Sequence, residues 1–313
     1  SIVSLMSGIF DAGLELNEKE SFWTNKLPTA LPRQLKKLGY HAAYWYGGNV
    51  TYGNFNQFAP SCGFDEVETA TDFCGPDAPK TWVGVYDNLF LEKAADMILS
   101  GDEERGEYQF HFLYTTSYHG PFKIPLEKYG YDTERVMPDA PEDIKNSKSL
   151  QKNLGTFWFS DQAIGKFLRT MKEAYPDSLF IVTGDHSYDM SAVLGKTSLM
   201  KRDANLRERH SPVLFFHHPE IDQSLFGENT IGGHMNILPT IFELIAPKDF
   251  TYYSLMTSLM DPIDHVVSPY HWLRKDAYGT YSNDFYQPLG DGFGPQALRE
   301  GPQPDRKSTR LNS

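Results

Sequence analysis

The sequence predicts an α/β protein: a three-layer sandwich with a mostly parallel sheet and helices on both faces. Three observations point there. Short apolar runs rich in β-branched and aromatic residues alternate with segments of helical periodicity, the pattern of strands joined by crossover helices. The run 178–186 (SLFIVTGDH) is almost wholly apolar until its end, as expected of a central strand of a parallel sheet covered on both faces. Its last residues, Asp185 and His186, are polar and fall where open α/β sheets build sites, at the carboxyl edge.

The elements follow in order. Leu31–Leu38 reads as a short helix and His41–Tyr46 as a strand, ended by the turn signal Gly47-Gly48-Asn49. Phe55–Pro60 is a short helical stretch, and Gly63–Val67 leads into another short strand. Asp87 is placed to cap a helix over Asn88–Leu99, with Leu91, Ala94, Ala95 and Ile98 on one face. Tyr108–Thr116 is a second central-strand candidate, ending in Ser117-Tyr118-His119-Gly120-Pro121. Residues 123–148 are polar and Pro-rich, an excursion over the surface or over the site. Ser149–Tyr175 is the strongest helix, with Leu150, Leu154, Phe157, Ile164, Leu168 and Met171 at helical spacing. Asp161 falls on the same stripe, so it is expected to be buried and hydrogen-bonded, structurally or as part of a site. Pro212–Phe216 is a further strand, and Gly232–Thr240 leads into a helix through Ile245. Residues 249–304 are aromatic-rich, punctuated by Gly and Pro, and without clear periodicity; they read as a C-terminal appendage on a domain spanning 1–248.

Composition sets bounds. The 313 residues are 40% hydrophobic and 14% aromatic, enough for a large core. A net charge of −12 argues against nucleic acid as a partner, since a phosphate backbone needs a basic surface. No apolar run approaches the ~20 residues of a membrane-spanning helix. Cys62 and Cys74 allow one disulfide or two free thiols, and no thiolate zinc site. Ser1–Gly8 begins inside an element with no start signal, and 305–313 reads as an in-frame sequencing-adapter translation, so the expectation is a gene fragment.

A carboxylate and an imidazole side by side at a strand end are hard-oxygen and borderline-nitrogen ligands for one divalent metal, which makes Asp185 and His186 the candidate metal pair. His217 and His218 are a second tempting pair, but adjacent residues leaving a strand point apart, and they are assigned to the surface.

Four stretches stand out in order: Tyr46–Asn49 with Cys62–Asp65; Thr115–Phe122; Ile181–His186; and His210–Phe216 with Gly233–Thr240. Together they resemble the sulfatase-like branch of the alkaline phosphatase superfamily, within it the lipoteichoic-acid-synthase and phosphoglycerol-transferase group. The stretch Ser4–Gly8 resembles the helix that follows the family's nucleophile. The resemblance covers roughly residues 1–246.

The resemblance implies an alkaline-phosphatase-like fold and a metal-dependent transfer of a phospho- or sulfo-group. Asp185 and His186 then hold the metal, Mn or Mg in a synthase-like enzyme and Ca in a true sulfatase. His119 contacts the substrate, where an imidazolium binds an anionic oxygen or protonates a leaving alkoxide. His234 and His210 are further substrate-side candidates. Asn236 is assigned a structural role. Of the basic residues Lys196, Lys201, Arg202, Arg207 and Arg209, one is a candidate for the substrate's anionic group. The nucleophile and the first metal-binding acid fall upstream of Ser1, so Ser1 and Ser4 are not assigned that role and negligible turnover is expected. The region Val50–Phe55 lacks the arginine that synthase-like enzymes carry there, which points away from a phosphatidylglycerol-type donor. The implied substrates are small anionic esters or envelope lipids and glycans, met outside the cytoplasm by a membrane-anchored protein. A formylglycine sulfatase and a catalytically silent envelope-binding domain are the alternatives.

Overall fold

A computed structural model describes residues 1–101, 105–106, 108–187, 197–198, 210–226, 231–268, 271–274, 277–280 and 286–288. The centre is a parallel three-stranded sheet in the order β2-β1-β3, with β1 at His41–Tyr46, β2 at Glu66–Thr69 and β3 at Gln109–Tyr114. The β1–β2 register runs from Ala43–Glu66 to Tyr46–Thr69, and the β1–β3 register from His41–Gln109 to Tyr46–Tyr114.

Successive side chains of a strand point to opposite faces, so β1 separates two cores. Ala42, Tyr44 and Tyr46 pack on one face with Phe55, Phe58 and Cys62 of the Phe55–Cys62 helix and with Met6 of the Ile2–Ser7 helix. Ala43 and Trp45 pack on the other with Phe90, Ala94 and Ile98 of the Asp87–Ser100 helix and Ala163 of the Lys148–Ala174 helix. These are the expected layers, with helices on both sides of a mostly parallel sheet. Among the described residues no helix is long and apolar enough to cross a membrane.

The Asp185-His186 strand departs from expectation. β4, Phe180–Thr183, pairs antiparallel with β5, Leu214–His217, in register from Phe180–His217 to Thr183–Leu214, and it is half-buried. An apolar run reports a tendency to burial; it carries no information on strand direction. Phe180 still joins the core beneath the parallel sheet, and Ile181 and Phe216 pack on the Ile237–Ile245 helix.

The long helix buries Leu150 and Met171 of the expected stripe, but its middle turns a different face inward. Asn153, Gly155, Thr156, Phe159, Ser160 and Ala163 are buried, whereas Phe157 is 57% exposed and Asp161 is exposed. Small and hydroxyl-bearing residues let this helix approach the Asp87–Ser100 helix, so a stripe of large apolar residues misplaced the interface. The helix starts where Ser147 accepts the N–H of Leu150.

Cys62 and Cys74 are both free. Cys62 lies in the core on one face of β1 and Cys74 packs against the core on the other, so the sheet stands between them and the disulfide option is excluded. Burial pushes the Cys62 thiol up to about 12.

The appendage contains more order than its sequence suggests: β6 (His265–Val267), β7 (His271–Arg274), β8 (Ala277–Thr280) and β9 (Tyr286–Pro288) form an antiparallel sheet in that order. Upstream, Tyr253 exchanges two hydrogen bonds with Gln34, and the Leu259 N–H bonds Thr240 Oγ1 at 2.9 Å. Lys196, Lys201, Arg202, Arg207 and Arg209, and the stretch 305–313, lie outside the described residues.

Asp65 fixes the entry to β2. It accepts the Ala42 N–H at 3.0 Å and pairs with Lys36 at 2.6 Å. Burial pushes its carboxyl up, but the Ala42 N–H, Lys36 and His41 together hold it below the usual carboxylate range. A carboxyl depressed in the fold stabilises above its unfolded value, and the contribution is lost as pH falls through the folded one. Asp65→Asn is therefore expected to lower stability by about 1–2 kcal/mol at neutral pH, a gap that closes as pH drops below about 4. Urea denaturation of both proteins at neutral and acid pH measures it, and a pH-independent gap would contradict the assignment.

Candidate active site

Two strand ends form the site. β3 ends at Tyr114 and continues into the loop carrying His119; β4 ends at Thr183 and continues into Gly184, Asp185 and His186. The Tyr114 hydroxyl donates to Asp185 Oδ2 at 3.2 Å, tying the two ends together. Burial, then the Asp185 carboxylate, raises the Tyr114 hydroxyl far above its ordinary value, so it stays protonated and serves as a donor. Tyr114 stacks on Tyr46 of β1, its register partner, with ring centroids 5.3 Å apart.

Asp185 and His186 face one another. His186 Nε2 stands 3.6 Å from Asp185 Oδ2, and Asp185 Oδ1 accepts the His186 backbone N–H at 2.9 Å. His186 Nδ1 donates to the Ser187 carbonyl at 3.0 Å, which leaves the Nε2 lone pair toward the carboxylate. Mn and Mg hold such donors at about 2.0–2.2 Å in octahedral geometry, which puts two adjacent donors on one ion about 3.0 Å apart. The hard-oxygen and imidazole donor set fits one divalent ion, and the two donors need to close by about 0.6 Å to share it. Among the described residues no cluster of three or more His, Cys, Asp or Glu side chains meets ligand spacing.

His234 opens the 3-10 turn before the Ile237–Ile245 helix, and its Nε2 donates to the Gly184 carbonyl at 2.7 Å. Its ring is thus directed at the strand end and does not cap the helix. Burial lowers its pKa, with help from His186 and against the pull of the Gly184 carbonyl and Asp185, so it is neutral above the ordinary histidine range. Asn236 is buried and bonds the Gly233 N–H and the Thr257 carbonyl, a structural bracket beneath His234.

His119 is exposed, with Nδ1 donating to the Gly120 carbonyl at 3.0 Å and its ring edge-to-face with Trp82 at 5.0 Å. The loop before it is held by Asp87. This carboxylate is completely buried and accepts the N–H groups of Thr116 (2.9 Å) and Ser117 (3.0 Å) and the Ser160 hydroxyl (2.8 Å). The Asp87 N–H in turn bonds Ser117 Oγ at 2.7 Å. Asp87 begins its helix but does not cap it by its side chain.

The other candidates are held by other partners. The His210 ring stacks on His271 of β7 at 4.5 Å. His217 lies parallel to Phe215 at 6.2 Å, while His218 donates to the Asp177 carbonyl, so the pair does point to different partners. Sequence reasoning missed Tyr114, Trp82 and the bracing role of Asp87. An acid enclosed in the apolar run around Val85, Tyr86, Leu89 and Phe90 was the available signal for Asp87.

The family model for Sulfatase matches residues 17–246. The chain is similar in structure to the lipoteichoic acid synthase LtaP from Listeria monocytogenes, with a TM-score of 0.66 and 19% identity over 91% of this chain and 75% of that one. It is also similar to a protein in the alkaline phosphatase superfamily from Vibrio parahaemolyticus, with a TM-score of 0.68 and 18% identity over 98% and 71% of the two chains. A third likeness is to the C-terminal periplasmic domain of EcEptC from Escherichia coli in complex with Zn, with a TM-score of 0.55 and 14% identity over 81% and 72%. At these identities the likeness is one of fold.

Proposed function

This chain belongs to the sulfatase family, and from that premise we propose that it is a metal-dependent transferase or hydrolase of phosphoesters at the cell envelope. The observation that carries the proposal is the pairing of Asp185 Oδ2 with His186 Nε2, 3.6 Å apart at the sheet edge, with Nδ1 already engaged.

Phosphoryl transfer gathers negative charge on the equatorial oxygens, so the protein's part is positioning and electrostatic clamping. Asp185 and His186 are the proposed ligands of a divalent ion, Mn or Mg, which when bound polarises the ester and favours an ionised nucleophile. Tyr114 fixes the Asp185 carboxylate through its hydroxyl, as outer partners of metal ligands do. His119, exposed beyond the end of β3, binds an anionic ester oxygen or supplies the leaving group's proton. His234, neutral and directed at Gly184, holds the β4 end in place, and His210 is kept as a substrate-side candidate. The proposed catalytic unit is 1–248, with 249–304 as an appendage. The periplasmic placement of the EcEptC domain supports an extracytoplasmic site for this one.

The test is divalent-dependent hydrolysis of an aryl phosphodiester against an aryl sulfate. For the full-length protein, phosphodiester cleavage with Mn or Mg, removed by a chelator, is expected. Cleavage of the sulfate with Ca would move the protein to the formylglycine-type reading. Failure of every metal and both esters would leave a binding domain.

A further inference from the structure

A small pocket opens beside His119, on the side defined by an exposed indole. It is lined by Lys80, Thr81, Trp82, Tyr86, His119 and Lys123, among others, with a volume of about 200 Å³. Drug-sized ligands fill roughly 300–1,000 Å³, so this space suits a single small ring.

Trp82 is the unusual member. It is 64% exposed, yet it is fixed: its Nε1–H donates to the Gly120 carbonyl at 2.7 Å and its ring meets His119 edge-to-face. The turn that carries it is pinned as well. Lys80 bridges Val85, Gly48 bridges Gly84, and the Val85 N–H bonds the Gly47 carbonyl at the end of β1. The approach is close enough to require glycine: a Cβ on Gly84 would run into the Gly47 carbonyl, and one on Gly48 would sit 2.7 Å from the Val83 carbonyl. An exposed aromatic held this firmly gains nothing from burial; it is a preformed stacking surface.

The charges beside it point to an anion. Lys80 Nζ donates to the Pro76 carbonyl, and among the described residues neither Lys80 nor Lys123 has a carboxylate partner. Two unpaired ammonium groups on one small pocket stand out in a chain of net charge −12. Phe122, on the same wall, holds φ at +54°, a strained conformation for an aromatic residue that its loop must enforce.

We propose that the Lys80–Trp82–Lys123 pocket is a recognition subsite for a phosphorylated sugar. The C–H face of the ring lies on the indole, whose π-face is electron-rich, and the phosphate lies between the lysines. This rests on the reading above, in which His119 is a substrate-side residue of the reaction centre, and it names the substrate as a glycan phosphate in preference to a bare glycerol phosphate.

Calorimetric titration of the metal-free protein with glucose 6-phosphate, glycerol 1-phosphate and methyl glucoside tests it. Saturable binding of glucose 6-phosphate is expected, with the other two at least about tenfold weaker, since each lacks one of two contacts worth about 1.4 kcal/mol. Trp82→Ala, and separately the double variant Lys80→Ala with Lys123→Ala, should each weaken glucose 6-phosphate about tenfold; all three side chains are exposed, and circular dichroism checks the fold. No saturable binding, equal binding of glycerol 1-phosphate, or unchanged binding in both variants would overturn the proposal. Repeating the titration with Asp185→Asn, beside a manganese titration of both proteins, separates the two readings: manganese binding unchanged by the substitution with sugar phosphate still bound sinks only the metal site, and manganese binding lost in the variant with sugar phosphate bound by neither protein sinks only the subsite.

Discussion

Asp185→Asn is expected to raise the dissociation constant for Mn by a hundredfold or more. Changing an outer partner of a metal ligand already weakens binding by about 10–100-fold, and Asp185 supplies the only described carboxylate facing His186 Nε2. The substitution is nearly isosteric, and Asp185 is part-exposed beside a strand end, so the metal-free protein should unfold at almost the same temperature as the parent. Metal then separates the two. An ion at about 100 times its dissociation constant stabilises the folded state by about 2.7 kcal/mol, and that upward shift in thermal midpoint should vanish in the variant. Equal shifts in both proteins would place the ion elsewhere.

Asp87→Ala should be the most destabilising single change among the residues that brace the His119 loop. It removes the acceptor for the Thr116 and Ser117 N–H groups and the Ser160 hydroxyl in a wholly buried position. Hydrogen bonds to a charged group are worth about 1.5–3 kcal/mol each, and buried donors left unmade are costly, so a loss of about 3–5 kcal/mol is expected in urea denaturation. Asp87→Asn retains one acceptor oxygen and should recover part of it. The same Asp87→Ala protein should be cleaved faster in the 116–122 loop under limited proteolysis. A loss below about 1 kcal/mol would show that Asp87 does not brace that loop.

The parts of this fold that were legible in the sequence are those where one local signal suffices. β1 is observed at His41–Tyr46, as its apolar run and the following Gly-Gly turn indicated. The long helix runs from Lys148 to Ala174, one residue from the expected start and end. What periodicity could not supply was which partner each element meets. The apolar stripe on that helix included Phe157 and Asp161, both exposed, because close packing against the Asp87–Ser100 helix favoured Thr156, Ser160 and Ala163. β4 kept its position but took an antiparallel neighbour, since pairing direction is set by the chain's path between strands. At the site, the adjacency of Asp185 and His186 was visible in the sequence. Tyr114 was not, because its link to Asp185 spans 71 positions and arises only when β3 and β4 end together. Asp87 was misread for the same reason: a helix-starting acid resembles a cap until the strand-end loop it braces is in place.

The proposed reaction requires a divalent ion between Asp185 and His186. Anomalous diffraction from a manganese-soaked crystal, recorded at the metal edge, tests this most directly. A peak within about 2.0–2.2 Å of both Asp185 Oδ2 and His186 Nε2 is the expected result. A manganese peak elsewhere on the protein, with none beside Asp185 Oδ2 and His186 Nε2, would contradict it.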